Sequence, residues 1–101
     1  MSRLNWELWR SEDEGTTAID YYRSSFSICC DEFIIIKIDF WIDHKFTARG
    51  MPEIEMTYAS SAEDDRVSDK VNYSSVDEAK ENAEIILKHI ISDTLNRLKE
   101  F

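Results

Sequence analysis

Between residues 33 and 43 the apolar positions alternate. Ile34, Ile36, Ile38, Phe40 and Ile42 occupy the even positions, while Phe33, Ile35, Lys37, Asp39 and Trp41 occupy the odd ones. A period of two puts each set on one face of a β-strand. The even set predicts a core-facing surface on a central strand, and the mixed odd set predicts a half-covered face or an interaction surface. Residues 53–59 repeat the pattern, with Ile54, Met56 and Tyr58 inward and Glu53, Glu55 and Thr57 outward. Residues 3–10 set Leu4, Trp6 and Leu8 against Asn5, Glu7 and Trp9, which predicts a first strand.

The intervening segments are punctuated by turn chemistry. Residues 11–15 read as an acidic turn ending at Gly15. Residues 16–30 are rich in Thr, Ile, Tyr, Phe and Cys, and fifteen residues is long for one strand. A bend near Ser24 and Ser25 is therefore expected, with a short helical turn at residues 18–22 as the alternative. Asp31 and Glu32 form a tight turn between two apolar stretches. Residues 44–52, with Gly50 and Pro52, read as a connection, residues 60–65 as a second acidic loop, and residues 66–73 as a polar edge strand with Val67, Val71 and Tyr73 on one side.

The period then changes from two to 3.6. Val76, Ala79, Ala83, Ile86, Leu87, Ile90, Thr94, Leu98 and Phe101 form one stripe at 100° per residue, predicting a helix over about residues 76–101. Ser75 and Glu78 have capping-box spacing. Asp77, Glu78 and Glu81 lie early and Arg97 and Lys99 late, in the sense the helix dipole favours. At 1.5 Å per residue such a helix reaches roughly 39 Å, whereas a compact domain of this size has a radius of gyration of only about 13 Å. Either long strands or a second subunit must cover its last turns, and Leu98 and Phe101 are the candidate self-association residues.

These elements predict an α+β class: a mainly antiparallel sheet of about four to five strands, followed by one long C-terminal amphipathic helix packed on one face. With 101 residues the chain holds one domain, residues 1–101, strand-rich over residues 1–73. The 43% apolar and 33% charged fractions are those of a globular protein.

Charge narrows the function. Twenty-one acidic residues against twelve basic ones give a formal net charge of −9, a field that opposes direct nucleic-acid binding and association with an anionic membrane. The first ten residues lack a continuous apolar leader, the longest apolar run (residues 33–36) is far too short to span a bilayer, and the two cysteines, Cys29 and Cys30, are adjacent. A reducing, cytoplasmic setting is expected, the host cytoplasm if a phage encodes the chain.

No motif announces chemistry. Two glycines leave little for a phosphate-cradling loop, and G-x-S-x-G and C-x-x-C are absent from the sequence. No catalytic residue, metal ligand or cofactor is expected. An unrecognised enzyme site near Asp39, Asp43 and His44 is an alternative, although a metal there needs a further ligand. Cys29 or Cys30 as a nucleophile would need a base and a positive environment, and core filling is the plainer reading.

What remains is recognition. The clusters Glu12-Asp13-Glu14 and Glu63-Asp64-Asp65 read first as solvated turns, and second as sites that steer the chain to a basic surface. Trp9, Trp41 and Ile85 fall opposite the predicted apolar faces and are candidate anchors. The expected function is a small acidic, non-enzymatic protein–protein interaction domain, an inhibitor that binds a basic surface of a larger partner, one that processes nucleic acid among the candidates. In size and charge the chain resembles toxin-immunity proteins and phage accessory proteins, an analogy of composition that rests on no motif. The alternative is a structural subunit forming a homodimer through its C-terminal helix.

Overall fold

The computed structural model describes residues 4–13, 15, 17–47, 50, 52–61 and 66–99. Five strands, β1 (Glu7–Asp13), β2 (Thr17–Cys30), β3 (Phe33–Thr47), β4 (Glu53–Ser60) and β5 (Val71–Tyr73), precede one helix, α1 (Val76–Lys99). The strands form one antiparallel meander in sequence order, so each pairs with its neighbour in the chain. The predicted α+β architecture is the observed one.

Alternation explains which face the helix covers. Ile36, Ile38, Phe40 and Ile42 of β3, with Ile54 and Met56 of β4, are buried against Ala79, Ala83, Leu87 and Ile90 of α1. The two alanines lack side-chain bulk, which lets the first turns of α1 sit close to the sheet. Phe40 lies at the centre, its ring 6.3 Å from Trp6 and 5.8 Å from Tyr58. Burial of such side chains drives the fold at about 1.5–3 kcal/mol each. The helix begins as its sequence requires: the Glu78 backbone N–H donates to Ser75 Oγ at 3.0 Å. The Glu78 carboxylate accepts from the Ser74 hydroxyl, so the second half of the cap goes to the preceding serine. The N-terminal segment is tied down where the Leu4 N–H donates to Glu84 Oε1 at 3.0 Å.

Several boundaries differ from the sequence reading. Residues 11–13, expected in a turn, continue β1; Leu8, paired with Tyr22, is exposed, and an extra residue, Trp9, lies between the paired residues Leu8 and Arg10. Such a bulge breaks alternation at one point and brings Arg10 across from Tyr21, on the face opposite α1. β2 is one strand of 14 residues; its irregularity lies between Ile28 and Cys29, not at Ser24 and Ser25. The segment before β5 makes only one bridge, Val67 to Ala59, besides the bonds of Ser68 to Tyr58.

The largest departure is Ile34. Alternation placed it with Ile36 in the core, yet it is 61% exposed. Its register slips at the Ile28/Cys29 irregularity, which pairs Ile34 with Cys29 instead of with Cys30. In addition, α1 is roughly 36 Å long at 1.5 Å per residue, while the molecule extends 54 Å along its longest axis and only 27 and 25 Å across. The β2–β3 hairpin outruns the helix that would cover it.

Candidate interaction surfaces

Among the described residues two surfaces are left open. The first is the sheet face opposite α1. Cross-strand pairs put Tyr21 beside Asp43, Arg23 beside Trp41, Trp41 beside Thr57 and Asp43 beside Glu55 on that face. Trp9, the bulged residue, lies on the same side: its ring is 6.0 Å from Tyr21, with the Arg23 guanidinium 5.5 Å above it. Arg10 lies 5.9 Å over Tyr21. A row of stacked guanidinium and aromatic groups results, each contact worth about 0.5–1 kcal/mol where exposed. Trp9 is 43% exposed and Trp41 half-buried. The anchors expected at Trp9 and Trp41 are thus on one uncovered face, whereas Ile85 is exposed on the helix, away from them.

The carboxylates on this face are largely engaged. Glu7 pairs with Arg23, Glu12 with Arg10, Asp39 with Lys37 at 4.0 Å and Glu55 with Lys70 at 3.5 Å. Glu12 also accepts from the Tyr21 hydroxyl at 3.2 Å, and Asp13 Oδ1 accepts from the Gly15 N–H at 3.1 Å. Both members of the first acidic cluster that the structure describes are therefore engaged locally. Glu14, Glu63, Asp64, Asp65 and Phe101 lie outside the described residues, as does the side chain of Leu98.

Asp43 carries the clearest electrostatic signature. Burial, reinforced by the like charge of Glu55 directly opposite, pushes its carboxyl above the ordinary aspartate range, and Lys70 pulls against that shift. Tyr21 is shifted upward by desolvation first, then by its bond to Glu12. Asp39 and Asp43 share the open face, but His44 pairs with Ile54 on the helix side and stacks on Phe46 at 4.0 Å. The three residues considered for an enzyme site are thus parted by the sheet. Among the described residues no group of three or more His, Cys, Asp or Glu side chains could hold a metal ion, and no helix is long and apolar enough to cross a membrane.

The second open surface is the outer part of the β2–β3 hairpin. β1 pairs with β2 no further than Arg23, and β4 pairs with β3 no further than Ile38; beyond that, the Lys37 N–H donates to Ser61 Oγ at 2.9 Å. Residues 25–37 form a two-stranded arm reaching roughly 20 Å at 3.3 Å per residue. Phe26 and Ile36 at its root pack on the core. At its tip Phe33 is 76% exposed, and Ile28, Ile34, Ile35 and the Cys29 thiol are exposed as well. Asp31 makes the turn at φ 57°, in the left-handed region that aspartate tolerates better than most residues. The sequence signal for this arm was the length of the two runs flanking Asp31 and Glu32, greater than any neighbouring strand could pair.

Compared with protein-family models, curated proteins and solved structures, the chain has no match in any of the three.

Proposed function

We propose that this chain is a small non-enzymatic interaction domain that binds a basic surface of a larger protein, as an inhibitor or immunity-type or phage accessory protein does. The observation that carries this reading is the uncovered sheet face with Trp9, Tyr21 and Trp41 in a chain of net charge −9. Aromatic side chains offer large contact area at low entropy cost and dominate binding hot spots. The surplus acid of the sequence, Glu63, Asp64 and Asp65 in particular, supplies long-range steering toward a cationic partner. A partner that processes nucleic acid fits because its own basic groove would attract the carboxylates.

The test is affinity capture with the full chain as bait, run beside a Trp9→Ala/Trp41→Ala variant. The reading expects a basic protein retained at low salt, released as salt rises, and lost from the variant. Equal retention by both baits, or a captured protein indifferent to salt and to charge reversal at Glu63, Asp64 and Asp65, contradicts it. Steady turnover of a small substrate by the purified chain also contradicts it.

Self-assembly is the second reading. Leu95, in the last turns of α1 beyond the buried Ile90, is 52% exposed. A homodimer through this end of the helix would cover it, with Leu98 and Phe101 alongside.

A further inference from the structure

The arm tip is a separate surface from the aromatic face, and its occupant can be argued from charge and strand geometry. We propose that a second copy of this chain covers it, the two arms lying side by side and antiparallel along their free β3 edges.

Three observations point there. Phe33, Ile34 and Ile35 are exposed on β3, and no described strand pairs with that outer edge before Ile38. Unpaired backbone groups along an apolar edge are a template for another strand. The opposite edge of the arm belongs to β2, where Ser25 and Ser27 alternate with Phe26 and Ile28, whereas β3 is apolar at every position from Phe33 to Ile36, so β3 offers the more apolar contact. Second, residues 33–36, the stretch that would lie in contact, carry no charged side chain, in a chain of which 33% of the residues are charged. Two copies of an acidic protein repel least where their charge is lowest. Third, the charges are placed to complement themselves. Asp31 and Glu32 sit at the turn and Lys37 at the root, with its side chain about half exposed. A two-fold axis at Ile34 sets the acidic turn of each arm beside Lys37 of the other. Such an interface is isologous and closes at two copies. A basic protein, the partner proposed for the rest of the surface, finds little charge complementarity at this tip.

Sedimentation equilibrium on the full chain tests the proposal, from low micromolar to several hundred micromolar. The expected result is a reversible dimer of twice the 11.9 kDa chain mass. Ile34→Asp, a change at an exposed position, should weaken it by roughly tenfold or more. Lys37→Glu should weaken it as well, and Glu32→Lys combined with Lys37→Glu should restore it. Leu95→Asp should leave it unchanged, which separates the arm from the helix end. Hydrogen exchange at the amides of residues 33–36 should slow as concentration rises. A monomer throughout the range overturns the proposal, whether or not the tip then captures a different protein. A dimer that Ile34→Asp leaves equally tight, or that Leu95→Asp alone disrupts, overturns it too.

Discussion

Strand β3 runs through two environments. At Phe40 it has β2 on one side, β4 on the other and α1 across one face, and its inward side chains are fully buried. At Ile34, among the described residues, it has β2 alone beside it, and its side chain is exposed. Both positions are apolar, even-numbered and set in an apolar run. What differs is register and cover: the pairing with β2 slips between the two, and a helix of 24 residues cannot reach the end of a hairpin whose strands run 14 and 15 residues. An alternating pattern specifies which residues share a face, and the rest of the chain decides whether that face is core or contact surface.

Substitutions can break or sharpen this contrast. The largest effect belongs to Phe40→Ala, which removes a fully buried ring packed on Trp6 and Tyr58. It should cost about 3–5 kcal/mol in urea unfolding, whereas Phe33→Ala at the arm tip should cost under about 0.5 kcal/mol. Next comes Ser75→Ala. The lost cap at the Glu78 N–H should destabilise by about 1 kcal/mol. The same melt should show no change in the exchange rates of arm amides that open locally.

Asp43 gives a smaller, pH-dependent effect on the covered half of β3. Its folded carboxyl titrates above its unfolded value, so the folded state holds a proton that the unfolded state has released. Stability therefore falls as pH rises from the ordinary aspartate range through the raised folded value, and the loss is complete above it. Asp43→Asn should be more stable than the parent at pH 7 and should lack that slope, as read from urea midpoints at several pH values. The smallest effect is expected at Ser24, a buried serine facing Phe40 whose hydroxyl has no hydrogen-bond partner among the described residues. Ser24→Ala should be neutral or stabilising by up to about 1 kcal/mol, since it removes an unpaired buried polar group.

Much of the fold was legible because local signals agreed with long-range packing. The switch from period two to period 3.6 marks the start of α1, Ser75 caps it, and Ile36, Ile38, Phe40, Ile42, Ile54 and Met56 are the core that alternation names. Two kinds of feature escaped. Single-residue irregularities at Trp9 and between Ile28 and Cys29 shift register without a compositional mark, and they took Arg10 and Ile34 off the helix-side face that alternation gives them. Ion pairing across strands depends on register as well. The row of Arg23, Trp9, Tyr21 and Arg10 could not be assembled from residues up to 14 positions apart until the β1–β2 pairing was known. Of the candidate site, Trp9 and Trp41 were found by their parity; the two arginines and the arm tip were not.

The contrast along β3 is tested most directly by one substitution made twice, Ile34→Asp and Ile38→Asp, with urea midpoints measured in dilute solution. Ile38 is fully buried, and a carboxylate there should prevent folding or lower stability by more than about 3 kcal/mol. Ile34→Asp should leave the midpoint within about 0.5 kcal/mol of the parent. Comparable losses at the two positions would show that the arm is part of the core and would contradict the account.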